Sequence, residues 1–242
     1  MANSASKVLK IALSEVGYIE KKSNKSLDSK TANKGDKNYT KYNRDMKKIR
    51  GAGTLNDYWC ANFVSWCFYK AFGKNTGKKV MLGYSNYVPT IYSNFSKAKR
   101  ISKSPKKGDI IIFGTNSHVG LVYDVKGNYV YTVEGNTSSR DFDSNGGAVC
   151  KKKYHKTNSW IKCYCRPKYT VPVSEYPLIR KGSKGSYVKK AQTQLNKKGG
   201  YKLKVDGIFG SATLSAVKKF QKKNKLVVDG IVGAKTWSKL YK

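Results

Sequence analysis

Residues 57–68, D-Y-W-C-A-N-F-V-S-W-C-F, are the stretch from which the organisation of the chain can be worked out. Apolar residues follow Cys60 at offsets of three, four, seven, eight and eleven, at Phe63, Val64, Cys67, Phe68 and Ala71. This spacing places them on one face and predicts a buried helix that begins at Cys60. Asp57, a residue of the type that caps helices, lies just upstream.

The thiol of Cys60 lies in the first turn of this predicted helix. There, unpaired backbone N–H groups and the helix dipole favour a negative charge, and therefore the reactive thiolate. A packed core cysteine is the competing interpretation, since free cysteine is among the most buried residue types. For Cys67, two turns further along the same face, packing is the preferred interpretation.

The 242-residue chain is strongly cationic, with 49 Lys and Arg against 14 Asp and Glu and a formal net charge of +35. The excess is shared, with 32 basic and 11 acidic residues in 1–170 and 17 and 3 in 171–242. Such a protein is attracted to extended polyanions, which include nucleic acid and the wall polymers and membrane of a Gram-positive bacterium. The length suits one ordinary domain and a small one.

The N-terminal residues 1–18 have helical spacing interrupted by lysines and lack the apolar segment of a signal peptide. Apolar runs of transmembrane length are absent from the sequence as well. We therefore expect the protein to be made in the cytosol and to stay there until something releases it. The five cysteines, an odd number without a C-x-x-C pair, predict reduced thiols and no zinc site.

Residues 21–42 are polar and without period, which predicts a long loop. Asp36, Asn38 and Asp45 are candidate Ca²⁺ ligands there, but their spacing departs from that of a dedicated calcium loop, and a solvated loop is the simpler interpretation. Residues 43–50 predict a short helix, and 74–100 predict irregular chain with several aromatic residues.

After Pro105 the pattern changes to short apolar segments separated by turns. Strands are predicted at 109–113, 118–125, 129–136, 149–154 and 160–169. Short strands joined by such turns form an antiparallel sheet, and helices followed by a sheet indicate the α+β class.

The C-terminal third contains an internal repeat. V-D-G-I-F-G-S-A-T at 205–213 recurs as V-D-G-I-V-G-A-K-T at 228–236, and each copy places an Asp-Gly turn before a helix. Helices are predicted at 186–197, 211–224 and 234–241. Residues 170–176, with their proline, predict a linker, and the three-helix unit beyond it has the size of a binding module rather than an enzyme.

The candidate general base for Cys60 is His118, one of two histidines. It begins a predicted strand, and Gly120 beside it would leave room for a substrate or a facing helix. His155 follows a run of lysines in a polar segment and is expected at the surface.

The turn at 126–128 makes strands 118–125 and 129–136 neighbours, so Glu134 returns toward His118. A carboxylate there can accept the second imidazole N–H, fix its tautomer and stabilise the imidazolium. Asn136 is a second polar group two residues further on. The sequence therefore predicts Cys60 as nucleophile, His118 as base, and Glu134 and Asn136 as orienting groups.

Four motifs in this order carry a family resemblance: D-Y-W-C-A-N-F (57–63), G-D-I-I-I-F (108–113), S-H-V-G-L-V-Y (117–123) and Y-T-V-E-G-N-T (131–137). Residues 5–169 resemble the CHAP family, the cysteine, histidine-dependent amidohydrolases/peptidases. The resemblance implies a papain-like α+β domain with helices packed on an antiparallel sheet. It also implies hydrolysis of amide bonds in bacterial peptidoglycan, with Cys60, His118, Glu134 and Asn136 at the matching positions and no metal or other cofactor required.

Residues 177–242 resemble the three-helix peptidoglycan-binding domain often appended to such enzymes, and the whole resembles a phage endolysin for a Gram-positive host. The expected organisation is a catalytic domain at 1–169, a linker at 170–176 and a peptidoglycan-binding domain at 177–242. Peptidoglycan and anionic wall polymers are the expected partners, with the anionic membrane surface as a further candidate. No specific nucleic-acid partner is expected, and a monomer is the default.

Several alternatives remain open from the sequence. An N-acetylmuramoyl-L-alanine amidase is favoured, and an endopeptidase of the stem or cross-bridge is the alternative. Papain-like wall peptidases that cut γ-D-glutamyl bonds also show Cys and then H-V-G, but typically follow with another His rather than E-G-N. A non-enzymatic cationic protein that binds nucleic acid or membranes is the alternative from a different class.

Overall fold

The computed structural model describes residues 5–139, 143–169 and 176–241. The chain divides into two compact units, residues 2–170 and 171–242. Residues 170–175 of the predicted linker lie outside the described residues. Tyr176, predicted as its last residue, instead packs its buried ring against Trp237, with the ring centroids 5.0 Å apart. Tyr176 therefore belongs to the C-terminal core.

Among the described residues of the N-terminal unit, five helices precede a six-stranded sheet. The helices are α1 (Ala5–Ser14), α2 (Lys41–Arg50), α3 (Cys60–Phe72), α4 (Lys74–Met81) and α5 (Val88–Lys97). The strands are β1 (Ile101–Ser102), β2 (Ile110–Phe113), β3 (His118–Lys126), β4 (Tyr129–Ser139), β5 (Asp143–His155) and β6 (Ile161–Cys165). Their order is β1-β6-β2-β3-β4-β5 with antiparallel neighbours, which confirms the α+β class.

The prediction of irregular chain over 74–100 was wrong, because this segment contains α4 and α5. In α5, Val88, Ile91 and Phe95 are buried at helical spacing, and a proline at the helix start pre-sets the first turn. The lysine-rich sequence of α4 has apolar residues only near its end, Val80 and Met81, so its periodicity is too short to be recognised.

Helix α3 is the centre of the N-terminal core, and its residues 60–68 are all buried. It contacts β3 and β4. Gly135 on β4 permits this packing, since a Cβ there would lie 2.7 Å from Trp59 and 2.8 Å from Phe63. The close approach holds the N-terminal end of α3, and hence Cys60, against the sheet.

The segment between α1 and α2 is anchored to the core rather than merely solvated. The Glu20 carboxylate accepts a hydrogen bond from the Trp59 indole at 2.8 Å, and the Lys21 ammonium, which is buried, donates to the Lys30 carbonyl at 2.9 Å. Tyr42 stacks on Trp59 with ring centroids 5.3 Å apart. The contacts of Glu20 and Tyr42 fix Trp59, the residue that immediately precedes Cys60.

The C-terminal unit consists of α6 (Ser186–Gly199), α7 (Ser211–Lys223) and α8 (Ala234–Tyr241), close to the three predicted helices. Its core includes Leu195, Val217, Phe220 and Trp237. In neither unit do the described residues include a helix with the length and apolar character needed to cross a bilayer.

The two copies of the repeat share one hydrogen-bonding framework. The Gln192 amide group of α6 donates to the Asp206 carboxylate, the Ile208 carbonyl and the Thr213 hydroxyl, and its oxygen accepts from the Gly207 N–H. The second copy reproduces each of these bonds with its counterparts Gln221, Asp229, Ile231, Thr236 and Gly230. The sequence repeat is therefore a repeat of tertiary contacts.

Candidate active site

Cys60 opens α3, and its backbone N–H lies in the first turn of that helix. Trp59 is the N-cap and supplies no side-chain cap. Asp57, predicted as the cap, instead accepts hydrogen bonds from the Tyr58 N–H at 2.9 Å and the Asn86 amide at 3.4 Å. The helix start thus keeps backbone N–H groups available to an anion beside Cys60.

His118 and Glu134 meet across the β3–β4 ladder. His118 Nε2 lies 3.0 Å from Glu134 Oε2, and the ladder pairs Gly120 with Glu134. A Cβ on Gly120 would lie 2.5 Å from Glu134 Cγ. Gly120 therefore makes room for the Glu134 side chain, whereas the sequence predicted room for a substrate or a helix.

Glu134 is fully buried and has two further donors that the sequence analysis missed. The Thr132 hydroxyl donates to Oε1, and the Tyr154 hydroxyl donates to Oε2 at 3.3 Å. Thr132 could have been found, since it lies two residues before Glu134 on the same face of β4. Tyr154 lies on β5, and only the register of that strand brings it here.

Cys60 is the other hydrogen-bonding partner of the His118 imidazole. With Nε2 directed at Glu134, Nδ1 is the nitrogen left for the thiol. Burial opposes a charge on the ring, but the hydrogen bonds with Cys60 and Glu134 and their negative charges outweigh it and raise the pKa of His118 to about 9. The position of the ring between Cys60 and Glu134 therefore favours its protonated form.

Trp160 packs over the imidazole, a contact that no local sequence pattern predicts. Its indole lies nearly parallel to the His118 ring, at 8° and with centroids 5.9 Å apart, and it stacks on Phe113 at 4.4 Å. The indole is 43% exposed. It thus shields one face of the imidazole while its outer surface is open to a ligand.

Asn136, the fourth predicted site residue, lies in a β-bulge. The β4–β5 register shifts between Glu134 and Thr137, and Asn136 has the left-handed φ of 56° that Asn tolerates better than most residues. In the described chain the imidazole is bonded to Cys60 and Glu134, not to Asn136. The structure gives Asn136 a backbone role, and its part in catalysis stays a prediction.

Cys67 and His155 do not belong to this array, and Cys150 lies opposite Glu134 in the β4–β5 ladder. All five cysteines are free thiols. Burial, with the charge of Glu15 adding to it, raises the pKa of the Cys67 thiol well above its usual range. His155 is exposed and its Nδ1 lies 2.7 Å from the Thr157 hydroxyl.

Two of the three candidate calcium ligands, Asp36 and Asp45, have protein partners. Asp36 pairs with Lys37 at 3.6 Å, while Asp45 accepts from Arg44 at 2.9 Å and from the Trp66 indole at 2.8 Å. Over the described ranges, no group of three or more His, Cys, Asp or Glu side chains is placed to hold a metal ion. Calcium binding at Asp36, Asn38 and Asp45 stays a prediction.

Comparison with known families matches both units. The sequence-family model described as CHAP domain matches residues 53–136. The family model described as putative peptidoglycan binding domain matches residues 184–240. The spore cortex-lytic enzyme of Bacillus cereus is 45% identical over 65 residues, which is 27% of this chain and 25% of that protein. The chain thus spans about a quarter of the length of this curated relative.

Two solved structures show similar local identity. A Burkholderia AP3 phage endolysin is 47% identical and covers 27% of this chain and 25% of its own, with a TM-score of 0.27. A peptidoglycan-binding protein from Clostridioides difficile is 32% identical and covers 49% of this chain and 74% of its own, with a TM-score of 0.27. The family models confirm the resemblance found in the motifs: residues 53–136 match the CHAP domain, and residues 184–240 match the putative peptidoglycan binding domain.

Proposed function

We propose that the protein is a peptidoglycan hydrolase that cleaves an amide bond of the Gram-positive cell wall with Cys60 as nucleophile. The observation that carries the proposal is the buried array of Cys60, His118 and Glu134 at the uncapped start of α3, within a CHAP domain. This array joins a nucleophile, a base and an orienting carboxylate by hydrogen bonds.

In the proposed mechanism, the Cys60 thiolate attacks the amide carbonyl carbon and forms a C–S bond. Backbone N–H groups at the start of α3, including that of Cys60, stabilise the oxyanion. The His118 imidazolium gives its proton to the nitrogen as the C–N bond breaks, which leaves a thioester. His118 then takes a proton from water, the resulting hydroxide attacks the thioester carbonyl, and the thiolate leaves.

The favoured specificity is that of an N-acetylmuramoyl-L-alanine amidase. The test is digestion of purified Gram-positive peptidoglycan, followed by mass spectrometry of the released fragments and their new termini. The Cys60→Ala variant is the negative control. New free L-alanine amino termini support the amidase. New termini within the stem or bridge would make the protein an endopeptidase, and the absence of fragments from several wall chemotypes would contradict the proposal.

The pH dependence of the reaction follows from the imidazolium. Because His118 must carry its proton to the leaving nitrogen, kcat/KM should fall as pH rises through its pKa of about 9, by about tenfold per pH unit beyond it. The measurement is kcat/KM from pH 6 to 10.5 on a soluble muropeptide at constant high ionic strength. The salt screens the charges of the surface lysines, so that their titration contributes little to the pH profile. An alkaline midpoint near 6.5 would show that Cys60 and Glu134 do not stabilise the charge.

The cationic surface suits the proposed place of action. A net charge of +35 would concentrate the protein at anionic wall polymers, and salt would weaken that attraction. We propose that the protein is made in the host cytoplasm and acts on the wall after release. Fractionation of producing cells before and after lysis, with detection of the protein in each fraction, tests this.

A further inference from the structure

A groove of about 320 Å³ lies beside the second copy of the repeat in the C-terminal unit. We call it the α8 groove; its aliphatic lining consists of Leu178, Leu226, Val227, Ile231 and Ala234. Leu178 is 59% and Val227 75% exposed, so the groove presents apolar surface to solvent. Such surface on a soluble protein commonly marks a binding site.

Charged groups border this aliphatic surface. Lys235 lines the groove, and Lys239 lies on the adjoining surface that shares Leu226 and Ala234 with it. Asp229, on the groove wall, is held by the Gln221 amide and the Ile231 N–H, at 2.8 Å each. The groove therefore offers a cationic rim for a carboxylate and a fixed acceptor for N–H groups.

The first copy of the repeat has the same framework but a different surface. Directly before the shared Val-Asp-Gly, Lys204 stands where the second copy has Val227. At the start of the following helix, Ser211 and Ala212 stand where the second copy has Ala234 and Lys235. All six of these residues are exposed, so they differ without disturbing the buried framework.

On the basis of the proposed function, we propose that the α8 groove binds the stem peptide of peptidoglycan. The aliphatic lining matches the methyl side chains of an alanine-containing peptide, Asp229 suits its backbone N–H groups, and Lys235 suits a carboxylate. A glycan fits less well, because sugar rings commonly pack on aromatic side chains, and the described residues that line the groove include none.

The test exchanges the surfaces of the two copies in the full chain. The groove variant combines Val227→Lys, Ala234→Ser and Lys235→Ala, and the matched control combines Lys204→Val, Ser211→Ala and Ala212→Lys. Each set installs residues that the other copy already accommodates, and each leaves the net charge unchanged. Both are made with Cys60→Ala so that no ligand is cleaved.

The probes are a synthetic stem pentapeptide with a free C-terminal carboxylate, the same peptide as its C-terminal amide, and tetra-N-acetylchitotetraose, measured by calorimetry. We expect the groove variant to raise the Kd for the free-acid peptide about tenfold and the control not to raise it. The amide should bind the unexchanged protein more weakly than the acid, because its charge is lost.

Peptide binding that the groove exchange leaves unchanged would overturn the proposal, as would the absence of peptide binding. Saccharide binding that only the groove exchange abolishes, without peptide binding, would make the groove a glycan site and overturn it too. Wall digestion by the protein with Cys60 intact is a separate readout. If digestion fails while groove-dependent peptide binding holds, the hydrolase proposal fails and the binding site stands.

Discussion

Replacement of Cys60 by alanine is expected to lower kcat for wall hydrolysis by about 10⁴-fold or more, because no other group in the site can form the thioester. The loss should appear without unfolding, since the change removes one small atom at the helix start. The measurements are the rate of fragment release from purified walls and the urea unfolding curve of each protein.

Cys67→Ala is the matched control. Cys67 lies on the same helix with a fully buried thiol whose pKa burial raises well above its usual range, so it should act as a packing residue. Its replacement should cost about 1–2 kcal/mol of stability and leave kcat unchanged. If the Cys67→Ala protein were folded but inactive and the Cys60→Ala protein were active, Cys67 would be the nucleophile and the assignment to Cys60 would be contradicted.

Glu134→Gln is expected to lower kcat by about 10³-fold and to move the alkaline limb of kcat/KM from about pH 9 toward the ordinary histidine value. The amide is nearly isosteric, but it carries no charge to stabilise the imidazolium. It also turns an NH₂ group toward donors such as the Thr132 and Tyr154 hydroxyls. The measurement is the full pH profile on a soluble muropeptide.

Tyr154→Phe separates the charge of Glu134 from its positioning. It removes one donor to the carboxylate and leaves the carboxylate in place, so kcat should fall by about tenfold or less, as for the loss of one hydrogen bond. The alkaline limb should stay near pH 9. If Glu134→Gln kept both the wild-type kcat and the wild-type limb, Glu134 would be a structural residue and not an orienting group.

The sequence by itself determined the features that depend on local spacing. The apolar repeat after Cys60 predicts α3, and α3 begins at that residue in the structure. The turn at 126–128 predicts that β3 and β4 are neighbours, and this alone brings Glu134 back to His118. The duplicated Val-Asp-Gly motif likewise indicates a repeated unit, because turn and helix signals are read within a few residues.

Only the tertiary structure decided the features that depend on how distant segments meet. Asp57 looks like a cap, yet its carboxylate bonds Tyr58 and Asn86. Tyr154 reaches Glu134 and Trp160 reaches His118 through strand register and packing that no local pattern encodes. The α8 groove also joins Leu178 to residues about 50 positions later. Local periodicity specifies elements and turns, whereas register, bulges and close packing select which side chains share a site.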